Sequence, residues 1–94
     1  MGAVATVLKD LGVSELVAMR GYALLSASQK LAELQQECLA YRQKYGLSFP
    51  DFQNRLTAAE QENFEEQDDY LGWKFAEEGV VYWRDLIERL KQES

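Results

Sequence analysis

Apolar residues recur at a helical period along most of the chain. Trp73, Ala76, Val80, Trp83, Ile87 and Leu90 follow one another at alternating intervals of three and four, which places them in a single stripe along a helix. Phe75, Tyr82 and Leu86 form a second line beside that stripe, so the apolar face is wider than the narrow seam of a two-stranded coiled coil. A face that wide calls for more than one neighbour. Upstream, Leu24, Ala27, Leu31, Leu34, Cys38, Tyr41 and Tyr45 keep the same alternation, a heptad-like seam that wants a helical partner.

Local chemistry then sets the ends of the elements. Ser14 is placed to cap a helix with Glu15 in its first turn, and no proline interrupts the pattern until after Tyr45, so a long helix is predicted over 14–45. Gly21 and the run Ser26, Ala27, Ser28 weaken its first half, with a break near Gly21 as the alternative. Gly46 supplies a helix stop. Ser48 and Asp51 then have the spacing of a capping box, with Pro50 in the first turn, where its missing N–H costs nothing. A short helix over 49–62 follows, and a last one over 67–92 with Asp68 or Asp69 as its cap. Gly72 and Gly79 inside that last helix point to the close approach of another helix backbone. At the N-terminus, Ala3, Val4, Val7, Leu8 and Leu11 ahead of Gly12 predict a short helix over 3–11; the β-branched residues leave an edge strand or a frayed end as alternatives.

The fold class expected is therefore all-α: one domain over 1–94, a small bundle of three to four helices whose two long members pair antiparallel. A chain of 94 residues builds only a modest core, which favours a dimer or a complex subunit. The seam residues Leu24, Leu31, Leu34, Cys38 and Tyr41 are the candidates for self-association.

Charge narrows the classes of function. A net charge of −6, with the basic residues scattered singly, argues against a nucleic-acid binder, which needs a cationic patch. One cysteine excludes an internal disulfide and fits a reducing cytoplasm. Without histidine, a zinc site is not expected, and no cofactor is implied. No apolar run is long enough to cross a bilayer, so a cytoplasmic protein is expected.

Six acids, Glu60, Glu62, Glu65, Glu66, Asp68 and Asp69, fall in ten residues ahead of Lys74. Two readings stand. They favour the positive end of the last helix, or, beside Phe64, Tyr70 and Trp73, they form an acidic, aromatic surface for a basic protein partner. A minor variant has Glu62, Glu65, Glu66 and Asp69, three or four apart, holding a divalent cation. Cys38 lies within the seam and reads as a small buried hydrophobe rather than a nucleophile. No catalytic constellation is present in the pattern, and an enzyme is not expected.

At KYGLSFPDF and FEEQDDYLGWKF the chain resembles a loose family of small helical prokaryotic antitoxin-like proteins encoded in toxin–antitoxin gene pairs. That family pairs a helix break, here Lys44 to Phe52, with a later acidic element, here Asp68, Asp69, Tyr70 and Trp73; the likeness spans residues 33–90. The resemblance implies a non-catalytic protein that neutralises a cognate toxin, often an RNA-targeting one, by direct contact. On that expectation Phe64, Tyr70, Trp73 and Trp83 anchor the partner, while Glu65, Glu66, Asp68 and Asp69 steer it. The competing expectation is a self-assembling helical homodimer with a structural or adaptor role and no toxin partner.

Overall fold

The computed structural model describes residues 14–92 and, ahead of them, Ala3, Thr6, Val7, Lys9 and Gly12. The described residues form three helices and no strand: α1 Glu15–Tyr45, α2 Phe49–Ala58 and α3 Phe64–Gln92. The helix expected over 3–11 falls largely outside the described residues; Ala3, Thr6, Val7 and Lys9 are helical. Among the described residues no helix is long and apolar enough to cross a membrane.

The caps explain where α1 and α2 begin. The Ser14 hydroxyl accepts the N–H of Val17 at 3.1 Å, and the Ser48 hydroxyl accepts that of Asp51 at 3.3 Å, each satisfying a backbone donor with no partner inside the helix. Gly46, at φ +66°, closes α1 in the left-handed conformation that favours glycine, its N–H bonded to the Arg42 carbonyl at 2.7 Å. α1 runs through Gly21 without a break. One glycine costs about 1 kcal/mol in a helix interior, too little to interrupt a helix of 31 residues that is packed along much of its length.

The start of α3 differs from the expectation. Asn63, not Asp68 or Asp69, supplies the cap: its side-chain oxygen accepts the Glu66 N–H at 3.1 Å, and the helix opens at Phe64. α2 correspondingly stops at Ala58, and residues 59–63 make the turn into α3. The reversal sends α3 back along α1, with Lys44 beside Asp69, Tyr41 beside Trp73 and Leu34 beside Gly79. The two long helices are thus antiparallel, and α2 folds against α3 at the turn.

The core is a thin line along that pair. Leu34, Ala76 and Val80 are buried together, with Leu31, Cys38 and Trp83 packed against them; Ala27 and Ile87 are buried toward the far end, Phe52 and Trp73 toward the turn. Gly72 and Gly79 admit side chains rather than a backbone. A Cβ at Gly79 would stand 2.6 Å from Cδ1 of Leu34, and one at Gly72 would collide with the Tyr41 hydroxyl. The result is a rod of 65 × 24 × 18 Å. Its radius of gyration, 19.7 Å, far exceeds the roughly 12 Å of a compact domain this long.

Candidate functional site

Two regions of α3 contain the residues singled out by the sequence. The first is the turn, where Trp73 is completely buried at the centre of an aromatic knot. Tyr41 stacks on it at 5.7 Å between centroids and Tyr45 at 6.4 Å, Phe52 lies at 5.4 Å, and Phe49 meets it edge-on at 5.3 Å. The indole N–H donates to Glu77 Oε1 at 3.1 Å, so even its polar atom is satisfied within the chain. Arg55 covers the knot from outside, its guanidinium 5.2 Å from the Phe52 ring and 5.4 Å from the Tyr45 ring. Trp73, expected to anchor a partner, is instead the core of the turn, because α1 and α2 converge on its face of α3.

The acids of this region are turned mostly inward. Lys44 Nζ reaches Glu65 at 3.0 Å and Asp69 at 2.6 Å. Tyr45 donates its hydroxyl hydrogen to Asp69, and Arg55 pairs with Glu66. The Lys44 ammonium and the Tyr45 hydroxyl hold the Asp69 carboxyl below its ordinary range. Burial, and then the bond to Asp69, push the Tyr45 phenol up to about 12. Three of the four expected steering acids, Glu65, Glu66 and Asp69, are therefore occupied in closing the turn, and only Asp68 stands free of such a contact. With their oxygens directed at Lys44 and Arg55, these acids do not gather into a group able to hold a metal ion among the described residues.

The other expected anchors divide. Tyr70 stacks on Phe49 at 5.6 Å and accepts a hydrogen bond from Gln53 at 2.9 Å, a structural position. Trp83 is half-buried against the Leu34 cluster, edge-on to Tyr82 at 5.1 Å. Phe64 is 74% exposed. Among the seam residues, Leu31, Leu34 and Cys38 pack in the core shared with α3 and Tyr41 stacks on Trp73, while Leu24 is half-buried. The seam's partner is the chain's own last helix. Burial, and next the nearby Glu77, raise the Cys38 thiol to about 11, which leaves it protonated and unreactive at neutral pH.

The second region is the outer face of α3. Phe64, Leu71, Phe75 and Tyr82, spaced by seven, four and seven, lie on one line and are 74%, 62%, 68% and 55% exposed. Phe75 and Tyr82 belong to the second apolar line seen in the sequence, and among the described residues no second helix covers that line. Leu71 completes it and was not singled out; the interval of four to Phe75 is the signal that reveals it. Between Lys30 and Leu34 of α1 and Phe75, Gly79, Tyr82 and Trp83 of α3, a shallow apolar groove runs along one edge of this face.

Compared with family models, curated proteins and solved structures, the chain matches none.

Proposed function

We propose that the protein is a non-catalytic interaction module of the cytoplasm that binds another protein through the outer face of α3. The observation that carries this reading is the line Phe64, Leu71, Phe75 and Tyr82, each more than half exposed on a regular helix. Side chains of these sizes leave a patch on the order of 500 Å², at the upper end of what a monomer shows without using it. Aromatic residues of this kind, flanked by charges such as Asp68 and Glu78, are the composition of a docking surface rather than of a catalytic one.

The resemblance at residues 33–90 makes the partner a cognate toxin, which the protein neutralises by covering its working surface. On this reading Phe64 and Asp68 keep the roles expected of them, and Leu71, Phe75 and Tyr82 replace Trp73 and Tyr70 as anchors. The test is to titrate the purified protein with the product of the adjacent gene, measuring complex formation by calorimetry and toxicity by growth on co-expression. A stoichiometric complex and restored growth, both lost in Phe75→Glu, are the expected results. Absence of binding, or full neutralisation by Phe75→Glu, overturns the reading.

A further inference from the structure

The outer face of α3 is complementary to itself. Counting inward from both ends, Asp68 corresponds to Arg89, Leu71 to Leu86 and Phe75 to Tyr82, three pairs related by one centre between Glu78 and Gly79. An antiparallel copy of the helix placed on that centre sets acid against base at each end and apolar against apolar within. At the centre the two copies of Glu78 stand side by side, ~1.5 Å apart along the axis at the helical rise, with their exposed side chains at the edge of the contact. Asp68 and Arg89 are both exposed and have no ion pair among the described residues. Leu71, Phe75 and Tyr82 are 62%, 68% and 55% exposed, and Leu86 is half-buried.

We infer that the occupant of this face, in the protein alone, is a second copy of the same chain, joined through α3 on a two-fold axis. The inference rests on the reading of this face as an interaction surface and names its resting partner. Two-fold pairing uses the same patch on both copies, so each complementary contact occurs twice. Leu71, Phe75 and Tyr82 supply about half of the roughly 800 Å² per partner of a standard interface, with Asp68, Leu86 and Arg89 contributing much of the rest. Pairing also gives the thin rod a second layer of helices that is absent among the described residues. A toxin-like partner that uses this face then binds the released monomer.

Light scattering of the purified protein is expected to show twice the 10.8 kDa monomer mass, dissociating on dilution. Phe75→Glu is expected to give a folded monomer, folding being read from circular dichroism. Asp68→Arg and Arg89→Asp should each weaken the dimer about tenfold or more, and the double variant should restore it, because the end pairs re-form with their signs exchanged. In a Cys38→Ser background, Glu78→Cys should cross-link between copies with a short bismaleimide. Leu71→Cys should not, since antiparallel mates at that position stand ~22 Å apart along the axis at the helical rise. A monomeric protein overturns the pairing while leaving the titration with the adjacent gene's product to decide the interaction face itself. Cross-linking of Leu71→Cys, failure of the double variant to recover, or dissociation by Tyr22→Glu on α1 in place of Phe75→Glu also overturns it.

Discussion

Trp73 and Phe75 stand two residues apart on α3 and meet opposite environments. Trp73 is wholly buried where three helices converge, while Phe75 is 68% exposed on the reverse of the same helix. The inner face is closed by rings from α1 and α2, by the Trp73 to Glu77 hydrogen bond and by the ion pairs around Lys44 and Arg55. The outer face has apolar side chains of similar size that stay more than half exposed among the described residues. The two faces therefore differ in role: the inner one closes the monomer, and the outer one is the surface proposed to pair with a second copy.

The largest expected effect separates them directly. Trp73→Ala should cost about 3–5 kcal/mol, as deletion of a large buried aromatic does. Phe75→Ala should change the stability of the dissociated monomer by less than about 0.5 kcal/mol. Urea unfolding at one low protein concentration measures both, concentration being fixed because an assembly's stability depends on it. Equal losses would mean that the outer face is also part of the monomer's core.

Next come the glycines. Gly79→Val must displace Leu34, whose Cδ1 lies 2.6 Å from the new Cβ and which is itself buried, and overpacking of this sort costs about 1–3 kcal/mol. At Gly21 an added Cβ meets nothing within 4 Å, so Gly21→Ala should stabilise by about 1 kcal/mol. Thermal unfolding of the two variants should show shifts of opposite sign; shifts of the same sign would show that Leu34 yields at little cost.

How far the sequence disclosed this division depended on the range of the interaction. Ser14, Gly46, Ser48 and Pro50 act on backbone groups within three or four residues, so the ends they set could be read directly. The inner stripe of α3 was legible because its period is local, and Trp73, Ala76, Val80 and Ile87 are all buried. What lay outside sequence logic was the number of neighbours. Trp73 and Phe75 have the same apolar character, and only the chain reversal decides which of them is covered. The pairing of Glu65 and Asp69 with Lys44, 21 and 25 residues earlier, depends on the same reversal. Asn63 caps α3 although Asp68 and Asp69, a few residues on, present an equally good chemical signal for a cap.

A smaller effect tests the polar closure of the inner face. Tyr45→Phe removes the hydroxyl bound to Asp69 but keeps the ring against Phe52 and Trp73, at 4.2 and 6.4 Å. A loss of about 1 kcal/mol is expected, with self-association unchanged in light scattering. A change in the assembled mass instead would couple the two faces.

The smallest effect is in the pH dependence of that same contact, which erodes from both sides. Asp69 has a folded pKa below the ordinary 3.8, so its contribution is complete above that value and disappears as pH falls below it. Tyr45 has a folded pKa raised from 10.0 to about 12, so its contribution is complete below pH 10 and is lost as pH rises through 12. Unfolding free energy followed between pH 2 and 5 should therefore fall with acid, and Asp69→Asn should flatten that slope. Between pH 10 and 12 stability should fall as well, by less in Tyr45→Phe, which has no phenol to ionise. The outer face supplies its own control, since Phe75→Ala removes no titratable group and should leave both slopes unchanged. A slope altered by Phe75→Ala would show that the outer face takes part in closing the turn.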